Sequence, residues 1–293
     1  MDLSFLFTDA IQEVMDLNPG YDDHASDVWL VKTDRQEVVV RTSRMTQEPD
    51  NDFWWGCKQL FGIDPRQVHN LAYVNNTLSE RTPIPVPMVL KKGKKHSREY
   101  VVVEKLEGQA MVSFIGQSST VMQSLGEGMA KIHQHQEKYI GNPSGSFQIE
   151  LGVFHKYLSK VMTQLVSKFY QDDEQIQRLL PEINKLLEDL PAPELSTFVL
   201  VDIDPTQFLS NGNAISGLVD TEAYVVAPRE LDFIGLEYVL DQASANDFRN
   251  GYEKVLQIPD LTNCRAPYRY LYRLLSVQGD VEIDKWMGWE ELF

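Results

Sequence analysis

The chain has 293 residues, 43% of them hydrophobic and 24% charged, with a formal net charge of -16. That length is past the size at which chains tend to split, so two lobes are expected, and the acidity weighs against a nucleic-acid partner, whose phosphates it would repel. The longest apolar runs are too short for a bilayer, no basic-then-apolar leader opens the chain, and the two cysteines, Cys57 and Cys264, form no metal spacing or disulfide framework; no membrane association and a reducing, cytoplasmic location are expected.

The first hundred residues read mainly as strands. DVWLVKT (27–33), a polar turn at 34–36 and EVVVRTS (37–43) predict a hairpin whose second strand carries Arg41 near its end. In the insert that follows, Phe53, Trp54, Trp55 and Phe61 are expected to bury themselves against the sheet. Pro65 after Asp64 marks a helix start, which predicts a helix over 65–80 ended by the prolines of TPIPVP. The basic run KKGKKHSRE (91–99) lies between two strand-like runs and reads as an exposed hairpin turn.

Past a strand at 100–104, EKLEGQ leaves the sheet and the chain turns helical. Met122, Leu125, Met129 and Ile132 recur at steps of three and four, the mark of an amphipathic helix ending near His133. His133 and His135 diverge around such a helix, which excludes a zinc site of the HExxH kind and leaves them as ordinary helix-end residues. Phe154, Leu158, Val161, Leu165 and Phe169 repeat the helical period, and 176–190 is a further helix closed by Pro191 and Pro193.

The densest signal is VLVDIDPTQFLSNGNAISGLVDTE, 199–222. A strand over 198–201 stops at Asp202, because Asp-Ile-Asp-Pro is a turn and the residue before proline is pushed out of helical conformation. Phe208-Leu209 and 215–219 form a hairpin around Asn211-Gly212, a pair suited to positive φ at both positions. The hairpin returns Asp220 to the loop of Asp202 and Gln207, so two carboxylates and an amide converge. A turn aspartate commonly just bonds nearby backbone N–H groups. Here the spacing, Asp202 and Gln207 five apart and then Asp220 and Glu222, matches a kinase catalytic loop followed by its metal-binding aspartate.

With strands first, helices next and this segment late, the chain resembles the aminoglycoside phosphotransferase and choline kinase superfamily of two-lobed small-molecule kinases. EVVVRTS is similar to the strand with the phosphate-contacting cation, YVVVEKLEG to the hinge, LGEGMAKIHQ to a helix usually ending in Leu-His, and RELDFIGLEYVL and FRNGYEKVL to the late helices. The resemblance implies an α+β, protein kinase-like fold, with a mainly antiparallel nucleotide-binding lobe (1–105) and a mainly helical lobe with the catalytic loop and substrate pocket (106–293). It implies transfer of the γ-phosphoryl group of ATP (or GTP), with Mg2+, to a hydroxyl of a small molecule, the acceptor being left open between aminoglycoside-like and other amine-bearing compounds. Asp202 would be catalytic; Gln207, Asp220 and Glu222 would hold the metal. Arg41, Ser26 and the hinge residues Glu104, Lys105 and Leu106 would bind nucleotide, in a monomer or homodimer.

The chain departs from the family at several places. Gln207 stands where Asn is usual, Leu200 and Asp204 where His is usual, and Arg41 where Lys is commonest, although arginine's planar fork suits phosphate. The ion-pair glutamate of the helix from Pro65 is missing, its nearest positions being His69 and Asn70, and the phosphate-covering loop offers only Gly20 beside Asp22 and Asp23. These departures motivate the alternative of a pseudokinase-like nucleotide-binding or interaction module. A P-loop NTPase is excluded because GxxxxGK[ST] is absent, and a protein kinase is disfavoured because no APE-like signature follows Asp220. The variable helices, 147–190 and from 231 onward, would build the substrate pocket. Their acids Glu230, Asp232, Glu237 and Asp241 either face an amine or are solvated, with Asp232 favoured as a brace of the catalytic loop.

Overall fold

The computed structural model describes residues 2–17 and 25–293. Strands β1 (Ile11–Asp16), β2 (Ser26–Thr33), β3 (Glu37–Ser43), β4 (Val89–Lys95) and β5 (Arg98–Glu104) form an antiparallel sheet in the order β1-β2-β3-β5-β4. Its sides are set by strand alternation. Tyr100 and Val102 of β5 pack with Trp29, Val31, Val38 and Val40, while Val101 and Val103 pack on the other face with Val68 and Leu71. Arg41 lies opposite both Val28 and Val101, and Ser26 opposite Ser43, so Arg41 and Ser26 share this second face. The basic run is the β4–β5 hairpin, as its sequence predicts. Its two-residue turn, His96 and Ser97, has φ of 49° and 68°, the doubly positive pattern that matches strand twist.

The insert after β3 folds as α1 (Asp52–Phe61), started by Asn51, whose side chain accepts from Trp54 N, and stopped by Gly62 at φ 67°. Its aromatic residues do not cover the sheet. Trp54, Cys57, Leu60 and Phe61 belong to the large core built by the later helices, Trp55 meets Phe169 edge to face, and Tyr157 donates to Gln59 O. The sheet already has both faces covered, whereas the helical core lacked a wall. The predicted 65–80 helix is shorter than expected: Asp64 caps a turn by accepting from Arg66 N, a 3-10 turn occupies Val68–Asn70, and α2 runs Leu71–Arg81.

Beyond the hinge come β6 (Gln109–Ala110), α3 (Ser119–His133), β7 (Tyr139–Gly141), β8 (Gln148–Glu150), α4 (Phe154–Phe169) and α5 (Glu174–Asp189). After them lie β9 (Thr197–Leu200), β10 (Phe208–Ser210), β11 (Ile215–Leu218), β12 (Tyr224–Ala227), α6 (Glu230–Glu237), α7 (Gln242–Tyr252), α8 (Arg265–Leu274) and α9 (Ile283–Met287). Two small sheets, β11-β10-β6 and β8-β7-β12-β9, carry the segment 197–227. Helices α3 and α7 cross backbone to backbone, because a Cβ on Gly126 would lie 2.1 Å from Phe248 O and one on Gly251 2.0 Å from Gln123 O. Among the described residues no helix is long and apolar enough to cross a membrane.

Three of the late acids have structural work: for Glu237 and Asp241 this is contrary to the expectation that they face an amine or are solvated, and for Asp232 it agrees with the expected brace. Glu237 is buried and accepts from Arg269 Nη2 at 2.7 Å and from Leu292 N at 3.2 Å, so it clasps the last residues of the chain onto α8. Asp241 caps α7 by accepting from Ser244 N. Asp232 is buried and accepts from Leu200 N at the end of β9.

Candidate active site

Strand β9 delivers the loop and is pinned at its end: Leu200 N donates to Asp232 Oδ1 at 2.9 Å. Asp232 Oδ2 lies 2.8 Å from His133 Nε2, and His133 Nδ1 lies 2.9 Å from Tyr252 OH. The bracing role expected of Asp232 is therefore present. His133 is more than the helix-end residue its position suggested, since it is buried and carries the brace to α7. Burial pushes the Asp232 carboxyl up, and His133 pulls it back.

The loop itself closes by a capping box of the D-P-T-Q segment. Asp204 accepts from Thr206 N, and Gln207 Oε1 accepts from Asp204 N at 2.9 Å. Gln207 Nε2 also donates to Asp202 O, and Val219 N donates to Gln207 O at 2.8 Å, which ties the returning hairpin strand to the loop. The hairpin is as expected, but its connection spans four residues, 211–214, and only Gly212 has positive φ. Asn211 instead accepts from the backbone N–H groups of Asn213 and Ala214.

The Asp202 carboxyl makes no side-chain hydrogen bond among the described residues. Burial, then the fields of Asp204 and Asp220, push its pKa up to about 7. Asp220 stands at the far end of the hairpin with its side chain 46% exposed. Arg41 reaches it from β3: Nη1 donates to Val219 O at 2.8 Å, and Nη2 donates to Asp220 Oδ1 at 3.0 Å. The same Nη2 lies 3.1 Å from Glu222 Oε1, and Ser26 Oγ donates to Glu222 Oε2 at 2.6 Å. Burial alone would depress the Arg41 guanidinium, but Asp220 and Glu222 outweigh it and hold its pKa above the ordinary value. Burial pushes the Glu222 carboxyl upward, against the pull of Arg41 and with the push of Asp220.

Six of the expected site residues, Ser26, Arg41, Asp202, Gln207, Asp220 and Glu222, thus meet at one junction of sheet, loop and hairpin. The hinge residues are farther along the sheet edge. Glu104 pairs with Met88 through both its backbone N–H and its side chain, Lys105 bridges to Glu37 at 2.7 Å, and Leu106 packs over Gly217. His69 and Asn70 do not replace the missing glutamate: His69 turns to Gly93 O and Asn70 to Gln67. Helix α2 meets the site instead through Asn75, whose Oδ1 accepts from Thr221 Oγ1 at 2.5 Å. No short-range pattern announces that contact. The capping box of Asp204 and Gln207, by contrast, is a local signature that a sequence can display. The expected phosphate-covering loop with Gly20, Asp22 and Asp23 lies outside the described residues.

As a metal site, this cluster has oxygen donors only. Among the described residues no group of three His, Cys, Asp or Glu side chains is arranged to hold an ion. The open Asp220 carboxylate fits a hard cation that completes its shell with phosphate oxygens and water, the habit of magnesium, whereas Gln207 Oε1 already accepts from Asp204 N.

No curated protein matches the sequence. Among solved structures, the fold is similar to the GDP and kanamycin complex of APH(2")-IIia, with 13% identity and a TM-score of 0.61 over 94% of this chain and 88% of that one. It is also similar to a putative fructosamine-3-kinase from Haemophilus somnus 129PT, with 13% identity, a TM-score of 0.60 and 95% and 88% of the two chains covered. Spectinomycin phosphotransferase APH(9)-Ia with ADP and spectinomycin follows at 12% identity, a TM-score of 0.58 and 94% and 84% covered. These likenesses give the kinase-like two-lobed fold. A sequence profile of the phosphotransferase enzyme family matches residues 19–268, and with so much of its length matched, the chain belongs to that family.

Proposed function

We propose that the protein moves the terminal phosphoryl group of ATP or GTP onto a hydroxyl of a small molecule. The observation that carries this reading is the junction itself: a buried strand cation, an open hairpin carboxylate at 3.0 Å from it, and a raised aspartate in the adjoining loop. Phosphoryl transfer is mostly positioning and electrostatics, and these are the parts it uses. Asp202, titrating near neutrality, accepts the proton of the acceptor hydroxyl as the oxygen attacks phosphorus. Arg41 binds the phosphates, with Ser26 beside it, and the backbone of 104–106 reads the base. Asp220, with Gln207 beside it, would hold magnesium, which when bound would neutralise the phosphate oxygens. Residues 1–105 then form the nucleotide lobe and 106–293 the lobe with the catalytic loop and acceptor pocket, with α1 of the former packed into the latter.

Kanamycin and spectinomycin accompany two of the similar structures, which supports amine-bearing acceptors as the first class to try. A nucleotide-depletion screen over aminoglycosides, macrolides, choline-like amines, sugars and amino-alcohols tests the reading. One observation favours a binding module without turnover: the Gln207 carboxamide is already bonded to the backbone of Asp204 and Asp202. Nucleotide binding with no turnover on any acceptor in the screen would select that second reading.

Arg41→Met keeps much of the apolar stem and removes the charge. Affinity for ATP is expected to fall on the order of tenfold or more, as a charge-assisted contact of about 1.5–3 kcal/mol is lost. Affinity for adenosine, which has no phosphates, should stay nearly unchanged by calorimetry. Equal losses for the two ligands would make Arg41 a framework residue.

A further inference from the structure

We infer that Glu222 is the anchor of Arg41 rather than a metal ligand, taking from the hairpin side the place that a helix glutamate holds in kinases. The inference rests on the nucleotide-site reading above. The two acids of the hairpin end are unlike: the Asp220 side chain is 46% exposed and the Glu222 side chain 10%. Glu222 Oε2 accepts from Ser26 Oγ at 2.6 Å, and Oε1 is paired by charge with Arg41 Nη2 at 3.1 Å, with no hydrogen-bond partner among the described residues. Ser26 starts β2 and Arg41 lies on β3, on the same face of the sheet, so the carboxylate spans two adjacent strands. Thr221 is meanwhile tied to Asn75 of α2 at 2.5 Å, which holds the segment beside Glu222 in place.

Helix α2 offers no acid here, and the residues nearest the usual place spend their polar groups elsewhere. Without a second anchor, Arg41 would keep only Val219 O and Asp220. A metal held by Asp220 would compete with the guanidinium for that carboxylate. Glu222 then keeps the fork aimed at the phosphates, and Ser26 keeps Glu222 aimed at the fork. Glu222 is in this sense a positioning residue, acting through Arg41.

The test is a double-mutant cycle read by calorimetry with magnesium and ADP, and with adenosine as the control. Members of one ion-pair network couple by amounts equivalent to roughly two- to a hundred-fold in affinity, so E222Q should weaken Mg·ADP about tenfold. Adenosine binding should not move, and in an R41M background E222Q should weaken Mg·ADP no further. S26A should act in the same direction, less strongly, and likewise only when Arg41 is present. E222D keeps the charge but is one methylene too short to bridge Ser26 and Arg41, so its loss should be intermediate; it serves if E222Q folds poorly. A metal ligand would behave otherwise, because E222Q would then weaken Mg·ADP in the R41M background as well. Tighter ADP binding by E222Q would mean that the carboxylate only repels phosphate. Either result overturns the inference while leaving the nucleotide site standing, whereas failure of the wild-type protein to bind ADP overturns both.

Discussion

Asp202→Asn is expected to lower phosphoryl transfer on the order of a hundred- to ten-thousand-fold, the usual loss when a positioned proton acceptor is removed, with nucleotide affinity changed by only about a few-fold. In the proposed reaction the carboxylate acts on the acceptor oxygen rather than on ATP, so binding and turnover should separate. The same substitution should stabilise the protein above neutral pH. Burial and the neighbouring Asp204 and Asp220 raise the folded-state pKa of Asp202 to about 7 from 3.8. The folded state therefore binds this proton more tightly than the unfolded chain. As pH rises past the unfolded value, the wild-type protein begins to lose stability at this site, and the loss is complete above about 7. Asparagine, of the same shape and neutral, carries no such cost. Melting scans from pH 4 to pH 8.5 should show no gain for Asp202→Asn at the acid end and a gain of roughly a few degrees at the alkaline end. A variant keeping a tenth or more of wild-type turnover, or gaining nothing at pH 8.5, would require another role for Asp202.

The second large effect concerns the metal. Three carboxylates, Asp202, Asp220 and Glu222, share the junction with the Arg41 guanidinium, and two of them are already paired to it. Phosphates entering without a cation would meet net repulsion, which magnesium held by Asp220 would offset. A ligand that binds only the native state stabilises it by roughly 2.7 kcal/mol at a hundred times its dissociation constant. For a chain of this length that is a rise of several degrees in Tm, about 2 °C or somewhat more per kcal/mol. ATP with magnesium should give this rise and ATP with a chelator much less. Asp220→Asn should abolish most of the magnesium-dependent part and reduce transfer roughly a hundred- to a thousand-fold, as loss of a charge-stabilising group does. The small metal-free shift should survive in Asp220→Asn, or grow, because one repelling carboxylate is gone. Glu222→Gln should reduce the shift partially. If millimolar ATP with magnesium or manganese produced neither a shift nor binding heat in the wild-type protein, the kinase reading would fail.

The features legible along the chain are short-range ones. The strand-favouring runs at 27–33 and 37–43, joined by a polar turn, specify a hairpin whose second strand carries Arg41, and the register seen in the structure then puts Ser26 on the same face. Asp-Ile-Asp-Pro-Thr-Gln stops a strand and closes a loop with its own side chains, and the Asp202 to Gln207 spacing, followed by a hairpin and Asp220, survives folding because a hairpin must bring its ends together. Even so, Asn211-Gly212 misled about turn type: the registry of β10 and β11 required four residues where a tight turn has two, and the tight turn formed at His96-Ser97.

Tertiary structure decided which distant group met which. Trp54 and Phe61 are apolar enough for either lobe; the sheet's covered faces sent them into the helical core. Nothing adjacent to Glu237 in sequence distinguishes it from a solvated acid, yet it is buried because Arg269 lies 32 positions away on a helix packed beside it. His133 became a brace through Asp232 and Tyr252, 99 and 119 positions on. The partner of Arg41 came from the hairpin rather than the helix, across 181 positions to Glu222 (222 less 41). Local spacing constrains backbone shape, but a charge or a hydrogen bond is satisfied by whichever group the packed faces bring within about 3 Å, and no window of sequence contains that group.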